Sequence, residues 1–251
     1  MRCHKGVVAL QTARRGSEGV RLKNLMSIGG KPLYRYNLEG ALGSRLIERV
    51  FVTTDIPEIA AGANVATYDV IERPPELADS TASHHDVIQH GVAEIERLLD
   101  REIEIAVVLL GNSVGGANST ELDAAIELLC SRPEADSVES VNSFPMFNPL
   151  RSLVVNEAGC LNTFLPAEKI LEWTNLKKVN ERGAAGKIMY FNGSFWVCRR
   201  RAIFNQDGPG NPPFPWQGRC VLPFEQDRVY MELDEPWQIE FLQALARNMK
   251  S

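Results

Sequence analysis

The chain has 251 residues, 44% of them hydrophobic, and a formal net charge of −5 at pH 7. This length and composition favour one globular enzyme unit with a substantial core, and the acidic balance argues against a general nucleic-acid-binding protein, which would carry a basic surface. No apolar run approaches the ~20 residues that span a bilayer, and no signal-peptide core follows the first residues, so we expect a cytoplasmic protein without membrane contact.

The first half of the chain alternates apolar strands with helix-like segments. Strands are expected at residues 6–10, 49–53, 65–70, 105–110 and 137–141, and helices at 32–44, 56–62, 84–99 and 120–130. This alternation predicts an α/β fold, a mostly parallel sheet with helices on both faces. Ligands of such sheets bind beyond the carboxyl ends of the strands, so the loops after residues 10, 53, 70 and 110 are expected to face one crevice.

The alternation ends after residue 141. Residues 144–189 are rich in loops, with a short strand expected at 152–156 and a charged stretch at 172–187. Strand character returns at 189–199 and at 229–233, and residues 236–250 have the pattern of a terminal amphipathic helix. We expect a single domain over residues 1–251, with 144–189 as an embedded extension.

The five cysteines are Cys3, Cys130, Cys160, Cys198 and Cys220. Their number is odd, their spacing is wide and no C-x-x-C pair occurs. This predicts reduced thiols rather than a disulfide framework or a structural zinc site.

A basic loop follows the first strand, at residues 13–24. It contains the cations Arg14, Arg21 and Lys23, the Ser17 hydroxyl and the backbone amides of Gly16 and Gly19. The loop matches neither the P-loop nor the dinucleotide fingerprint. Cations and amides at the end of a buried strand still suit a polyphosphate, with an ordinary solvated connection as the alternative.

Six blocks of sequence, in one order, carry a resemblance to a known family. They are A-R-x-G-S-x-G-x-x-x-K-N at 13–24, G-G-K-P-L at 29–33, V-x-V-x-T-D at 50–55, R-P-x-E-L-A at 73–78, N-G-S-F-W-V-x-R-R at 192–200 and E-x-D at 232–234. Together they resemble the acylneuraminate cytidylyltransferases, which make CMP-sialic acid and CMP-activated relatives. The resemblance implies a Rossmann-like nucleotidyltransferase fold and transfer of CMP from CTP to a sugar acid, with release of pyrophosphate. It also implies a homodimer formed through the extension at 144–189.

The resemblance also implies which residues bind the nucleotide. The predicted nucleotide-binding residues are Arg14, Gly16, Ser17, Arg21, Lys23, Asn24, Arg73, Ala82, His84, Asn112 and Ser113. Arg14 and Lys23 are expected to stabilise the triphosphate charge and, with Asp234, to act as catalytic residues. In the family, the segment matching 73–84 lines the cytidine pocket, where backbone groups beside small residues can read the cytosine edge.

A metal site is expected at the E-x-D block. Glu232 and Asp234 alternate on a predicted strand, so their carboxylates project to the same face. Two hard oxygen ligands suit Mg²⁺, whereas the alternative is a solvated strand edge. The adjacent His84 and His85 are predicted to begin a helix rather than to bind metal, because neighbours on a helix point about 100° apart.

The acceptor is expected near a second group of residues. The predicted acceptor-binding residues are Asn192, Gly193, Ser194, Arg151 and Lys187. The two cations could pair with the carboxylate of an acidic sugar, although ordinary surface cations are an equal alternative. Residues 199–201, three arginines, are predicted to form a solvated run, and the four tryptophans are predicted to serve packing rather than base stacking.

The chain departs from the family pattern in two places. Glu18 stands where the family commonly has Lys, which puts an anion beside the expected triphosphate. The loop at 110–118 replaces the family's L-Q-P-T-S-P-L-R and is expected to be more flexible because of Gly111, Gly115 and Gly116. These departures leave two alternatives open, the same fold acting on a phosphonate or another sugar acid and a nucleotide-binding member without turnover.

Overall fold

The computed structural model describes residues 6–16, 19–79, 81–143, 149–173, 188–228 and 230–248. The chain divides into two compact units. The larger unit comprises Met1–Ser140 and Asn192–Ser251, and the smaller comprises Val141–Phe191.

The strands are β1 Val7–Ala13, β2 Ser27–Ile28, β3 Lys31–Pro32, β4 Arg49–Thr54, β5 Asp69–Glu72, β6 Ile105–Leu110, β7 Ser113–Val114, β8 Ser137–Asn142, β9 Leu153–Val155, β10 Leu161–Thr163, β11 Tyr190–Arg199, β12 Val221–Glu225 and β13 Met231–Glu232. The helices are α1 Arg35–Leu42, α2 Pro57–Ala66, α3 Pro75–Ala78, α4 His84–Leu99, α5 Ser119–Ser131, α6 Ala167–Trp173, α7 Arg200–Ile203 and α8 Gln238–Asn248.

Seven strands form the main sheet, in the order β12-β8-β11-β6-β1-β4-β5. β1 runs parallel to both β4 and β6, and β4 runs parallel to β5, whereas β11 is antiparallel to β6. The predicted α/β fold with a mostly parallel sheet is therefore confirmed. The parallel strands end at one edge of the sheet, where the candidate site lies.

β1 is the centre of the core because every one of its residues is buried. Val7 and Ala9 pack on one face of the sheet with residues of α1 and α5, whereas Val8 and Leu10 pack on the other face with residues of α4. A Cβ on Gly91 of α4 would lie 2.6 Å from a methyl group of Leu10. The glycine therefore allows this helix to approach the sheet closely, as the alternating pattern of β1 requires.

Two predicted elements have different bounds in the structure. The strand expected at 65–70 is wrong in its first part, because Pro57 opens α2 and the helix continues to Ala66, where Thr67 at φ 57° ends it. The helix expected from residue 32 begins at Arg35, since Lys31–Pro32 pairs with Ser27–Ile28 as a short hairpin.

The prediction that the three arginines at 199–201 form a solvated run is wrong. Arg199 donates to the carbonyl oxygens of Leu129 and Ala135, both at 2.9 Å. Arg200 forms an ion pair with Glu96 at 2.6 Å, and Arg201 pairs with Asp136 at 3.0 Å. The three cations tie α7 to the neighbouring helix and strand ends.

The smaller unit carries an antiparallel hairpin of β9 and β10, followed by α6. Several of its large apolar side chains are exposed, among them Val155, Leu161 and Phe164, each about two-thirds accessible. Most of the charged stretch predicted at 172–187 lies outside the described residues. The role of 144–189 as an extension stays a prediction.

No helix in the described parts of the chain combines the length and the apolar character needed to cross a membrane. The four described cysteines, Cys130, Cys160, Cys198 and Cys220, form no disulfide bond with one another, which agrees with the predicted reduced thiols, and Cys3 lies outside the described residues.

Candidate active site

A cavity of about 290 Å³ lies at the carboxyl ends of β1 and β6, within the larger unit. Its lining residues are Thr12, Arg14, Lys23, Asn24, Arg73, Leu77, Ala82, His84, Val87, Leu110, Asn112, Glu232 and Asp234. Loops that follow β1, β5 and β6 meet here, and Asp55 after β4 accepts a hydrogen bond from the Arg15 amide at 2.7 Å. Three of the four loops predicted to share a crevice, those after β1, β5 and β6, therefore line it, and the loop after β4 contacts the first of them.

The basic loop is held against the sheet by a buried amide. Asn24 Nδ2 donates to the Arg14 carbonyl oxygen at 2.7 Å, and the Asn24 side chain is almost wholly buried. A Cβ on Gly111 would lie 2.9 Å from Asn24 Oδ1, so the loop after β6 must pass close to this amide. Arg14 Nη1 donates to the Asp79 carbonyl oxygen at 2.8 Å, which directs the guanidinium along the cavity wall.

Lys23 joins the basic loop to the acidic pair. Its Nζ lies 2.6 Å from Asp234 Oδ1, and Asp234 is about half exposed. A Cβ on Gly19 would lie only 1.9 Å from the Asp234 carbonyl oxygen, so the backbones of residues 19 and 234 are in direct contact. The loop and the pair thus form one wall of the cavity.

The acidic pair places one carboxylate inside and one at the rim. Glu232 lies on β13, opposite Ser113 of β7, whereas Asp234 follows the end of that strand, which is shorter than predicted. Burial, followed by the neighbouring Asp234 charge, raises the pKa of Glu232 to about 7, against a lowering effect of Lys23. Both carboxylates still face the cavity, and their close approach attracts a cation.

The acidic pair has no third histidine, cysteine or carboxylate ligand grouped with it among the described residues. Within the described parts of the chain, no three or more His, Cys, Asp or Glu side chains are grouped to hold a metal ion. His85 contacts the Ile203 carbonyl oxygen at 2.8 Å, which accords with the prediction that the two histidines begin a helix.

His84 forms a neutral wall opposite the acidic pair. It is the first residue of α4, and its Nε2 lies 3.3 Å from Thr12 Oγ1. The rings of Trp196 and Trp216 meet the imidazole edge-on, with centroids 6.2 and 6.1 Å away. Burial, with smaller contributions from the nearby cations Arg73 and Arg14, lowers the pKa of His84 to about 4, so the ring is uncharged at neutral pH.

Trp196 and Trp216 therefore serve packing as predicted, and both are buried. The same prediction is wrong for Trp173 and Trp237, which are 52% and 67% exposed. Behind Trp196, Glu139 accepts hydrogen bonds from the indole at 2.9 Å and from Gln217 at 3.1 Å. Burial raises the pKa of Glu139.

Arg73 brings a buried guanidinium to the cavity. Its Nη2 donates to the Thr53 carbonyl oxygen at 3.1 Å, while its Nε has no acceptor among the described residues. Burial lowers the pKa of Arg73 to about 10, and the Asp55 carboxylate opposes that shift. A buried cation with an unused donor is suited to an anionic or carbonyl-bearing ligand.

The loop after β6 is braced rather than loose, contrary to the expectation from its glycines. Asn37 Nδ2 donates to the Leu110 carbonyl oxygen and to Ser113 Oγ, both at 2.8 Å, and its Oδ1 accepts from the Ala117 amide at 3.1 Å. Arg228 donates to the carbonyl oxygens of Gly115 and Gly116 at 2.9 and 2.6 Å.

The same bracing explains why only one of two predicted contacts reaches the cavity. A Cβ on Gly116 would overlap the Asn37 amide at 2.0 Å, so this glycine is required for close packing. Asn112 lines the cavity as predicted. Ser113 does not, because β7 turns its hydroxyl inward to Asn37.

Three of the predicted acceptor residues, Asn192, Gly193 and Ser194, lie behind the acidic pair and are not among the residues that line the cavity. Asn192 Oδ1 accepts from Ser140 Oγ at 2.7 Å and from the Ser194 amide at 3.0 Å. Ser194 is fully buried, and Gly193 packs against Glu232. The structure therefore gives these residues internal contacts.

Other predicted residues are placed as follows. Gly16 and Arg21 are described but are not among the residues that line the cavity, and Arg21 is exposed. Ser17, Glu18 and Lys187 lie outside the described residues, as does the side chain of Arg151. Their roles stay predictions.

Sequence reasoning missed most of the apolar part of the cavity wall. Leu77 lies in the block at 73–78 that the resemblance assigns to the cytidine pocket, whereas Thr12, Val87 and Leu110 line the cavity without belonging to any of the six blocks. Their positions at strand ends and one turn after His84 are the only signal that could have identified them.

Known proteins resemble the chain in sequence and in fold. The model of a family described as Cytidylyltransferase matches residues 8–112. An N-acylneuraminate cytidylyltransferase of Escherichia coli is 40% identical over 87 residues, 35% of this chain and 21% of that protein. A pseudaminic acid cytidylyltransferase and UDP-2,4-diacetamido-2,4,6-trideoxy-beta-L-altropyranose hydrolase of Helicobacter pylori is 30% identical over 232 residues, 92% of this chain and 43% of that protein.

Among solved structures, CMP:2-keto-3-deoxy-manno-octonic acid synthetase complexed with CTP superimposes with a TM-score of 0.69 at 18% identity. The match covers 98% of this chain and 100% of that chain. At this identity the likeness concerns the fold. The chain spans less than half the length of the curated relatives described above.

Proposed function

We propose that the chain is a member of the acylneuraminate cytidylyltransferase family, and that it transfers CMP from CTP to a sugar acid with release of pyrophosphate. The observation that carries this proposal is the convergence of Arg14, Lys23 and Arg73 with the carboxylates of Glu232 and Asp234 on one cavity. Cations that balance a triphosphate and carboxylates that suit a divalent ion are the two requirements of nucleotidyl transfer.

The proposed reaction is an in-line displacement at the α-phosphorus of CTP. A hydroxyl oxygen of the acceptor forms a bond to this phosphorus while the bond to the pyrophosphate oxygen breaks. Arg14 and Lys23 stabilise the negative charge that accumulates on the phosphates. Lys23 already lies 2.6 Å from Asp234, so one ammonium group can serve both the carboxylate and the departing pyrophosphate.

The two carboxylates fit a divalent metal ion by their chemistry. Glu232 and Asp234 are hard oxygen donors, and they lie close enough that the Asp234 charge raises the pKa of Glu232. Mg²⁺ is commonly held by one or two carboxylates, with water and substrate phosphates completing its shell, and we propose Mg²⁺ here. When bound, the ion would neutralise charge on the α-phosphate and the pyrophosphate.

We assign the neutral, partly apolar end of the cavity to the nucleoside. Leu77, Ala82 and Val87 offer a flat apolar surface, and the uncharged His84 adds a polar edge that does not repel the adjacent arginines. Arg73 supplies the unused donor on the same side. A cytosine ring presents both an apolar face and hydrogen-bonding edges, which this wall complements.

The acceptor and the assembly are part of the same proposal. The names of the two relatives refer to N-acylneuraminate and pseudaminic acid, both sugar acids. The exposed apolar side chains of the smaller unit, Leu153, Val155, Leu161 and Phe164, favour burial against a second copy in a homodimer. Because the reaction consumes CTP, we place it in the cytoplasm.

A thermal scan tests the nucleotide. CTP with Mg²⁺ should stabilise the chain more than ATP, GTP or UTP, since a ligand at 100 times its Kd adds about 2.7 kcal/mol to the free energy of unfolding. Arg14→Ala should reduce the shift, whereas Arg15→Ala is the matched control, because Arg15 is an exposed arginine of the same loop that does not line the cavity. Equal shifts for all four nucleotides would contradict the proposal.

Pyrophosphate release then tests the reaction. The chain is incubated with CTP, Mg²⁺ and a panel of N-acylneuraminate, pseudaminic acid, another sugar acid and a phosphonate. Release should require both CTP and one of the acids. Stabilisation by CTP without release from any acceptor would leave a nucleotide-binding protein and refute the transfer.

A further inference from the structure

Gly193 adopts a backbone conformation that most residues avoid. Its φ is 75°, in the left-handed region. A Cβ built at this position would lie 2.4 Å from Glu232 Oε1 and 3.4 Å from a ring carbon of Tyr230. The space that a side chain would occupy at residue 193 is therefore filled by the Glu232 carboxylate.

The side chain of Asn192 fixes the backbone at Gly193, which makes a local turn within β11. Its Oδ1 accepts from the Ser194 amide, the second residue along, at 3.0 Å, a local hydrogen bond that spans Gly193. The same oxygen accepts from Ser140 Oγ at 2.7 Å, and Nδ2 donates to Gln226 Oε1 at 2.9 Å. The turn is thus anchored to two other parts of the larger unit, and its position is set independently of Glu232.

Glu232 is held from the opposite side as well. β13 pairs with β7 through Glu232 and Ser113, and the Leu233 amide donates to the Asn112 carbonyl oxygen at 2.7 Å. The backbone of Glu232 is therefore fixed by one neighbour, and the reach of its carboxylate is limited by the turn at Gly193.

From this geometry we propose that Gly193 is a positioning residue, whose missing side chain forms the seat that aims the Glu232 carboxylate toward Asp234 as half of a divalent-cation site. This inference rests on the proposed function for the identity of the site. It assigns residue 193 to the acidic pair rather than to contact with the acceptor. The expectation that follows is that a methyl group at this position displaces the carboxylate and weakens cation binding.

Binding of Mn²⁺ to the full chain, followed by electron paramagnetic resonance without turnover, tests the proposal. Gly193→Ala should raise the Kd for Mn²⁺ by roughly tenfold or more, as is usual when a group that orients a metal ligand is lost. Gly159→Ala is the matched control, because Gly159 has φ 76° but no atom within 4 Å of the added Cβ. It reproduces the backbone strain without displacing a carboxylate, and its Kd should equal that of the wild type.

A double-mutant cycle makes the test independent of strain. Glu232→Asp shortens the arm, so it should weaken Mn²⁺ binding in the wild-type background and partly restore it in Gly193→Ala. If Gly193→Ala fails to fold, Gly193→Asn replaces it, since asparagine tolerates the left-handed region and carries the same Cβ.

The outcomes separate this proposal from the function on which it rests. A Kd for Gly193→Ala that matches Gly159→Ala would overturn the proposal, and a raised KM for the acceptor in that variant would return Gly193 to the acceptor site. No Mn²⁺ binding by the wild-type chain would refute the metal pair and the inference together. Mn²⁺ binding that follows the expected order in the absence of pyrophosphate release would support the seat while refuting the transfer.

Discussion

Lowering the pH should destabilise this protein through His84. The folded chain holds the imidazole with a pKa of about 4, below the ordinary value of 6.5, because burial disfavours the charged ring. Between these two values the unfolded chain binds the proton more strongly than the folded chain. The stabilising contribution is therefore complete above pH 6.5 and is lost as the pH falls toward 4.

The size of the effect follows from the two pKa values. At pH 5 the imidazole is largely protonated in the unfolded chain and largely neutral in the folded one, which lowers the free energy of unfolding by about 2 kcal/mol relative to pH 7.5. For a chain of this length that corresponds to a Tm lower by roughly 4–8 °C. The raised pKa values of Glu139 and Glu232 act in the opposite direction over part of the same range, so the wild-type slope alone does not isolate His84.

His84→Gln provides the comparison. Glutamine cannot take up the proton, yet it can still hydrogen-bond to Thr12, so the variant should lose less stability than the wild type between pH 7.5 and pH 5. Calorimetry at both pH values gives the two differences, and NMR titration of the His84 ring gives the pKa directly. Equal losses in the two proteins, or a ring that titrates near 6.5, would refute the reasoning.

Three further predictions concern the acidic pair, the basic loop and the brace that Asn37 forms beneath the loop after β6. Asp234→Asn should leave folding nearly intact, because the side chain is about half exposed, and should abolish Mg²⁺-dependent pyrophosphate release. Glu232→Gln should lower that release less. Wild-type turnover by Asp234→Asn at limiting Mg²⁺ would contradict the prediction. Glu18→Lys should tighten CTP binding in a titration, less so at high salt, if residue 18 lies beside the triphosphate; if Arg21 has taken over the role of the missing cation, Arg21→Ala should weaken binding markedly while Glu18→Lys changes it little. Unchanged affinity in both variants would show that this half of the loop does not touch the nucleotide. Asn37→Ala should lower the free energy of unfolding by about 3 kcal/mol, since it strips three buried hydrogen bonds from the loop after β6. Urea titration of that variant beside Asn118→Ala, which loses one helix-capping bond worth about 1 kcal/mol, checks the difference, and equal losses would count against the brace.

The edge of the sheet and its polar residues could be predicted because both depend on local pattern. Apolar runs of strand length fix where β1, β4 and β6 end, and parallel strands place those ends together. Arg14 comes directly after β1, Arg73 comes directly after β5 and Lys23 lies in the loop that follows β1, so their arrival at one cavity needed no knowledge of distant contacts.

Other residues depend on partners that no local pattern reveals. Arg200 pairs with Glu96, which lies 104 positions away, so its run of cations looked solvated. Ser113 sits beside Asn112 in sequence, yet pairing with β13 turns it toward Asn37, 76 positions away. The first part of the strand predicted at 65–70 is helical in the structure, because the helix that starts at Pro57 continues to Ala66.

The contact between Gly19 and the Asp234 backbone has a consequence for the affinities of the two kinds of ligand that the cavity is expected to bind. Nothing larger than a hydrogen atom fits between the two segments at Gly19. The ion pair between Lys23 and Asp234 joins the same two segments at a second point. A displacement of either segment must therefore carry the other with it. Binding of a cation by the acidic pair and binding of an anion by the basic loop are then thermodynamically linked. Each ligand should bind more tightly, by the same factor, when the other is already bound.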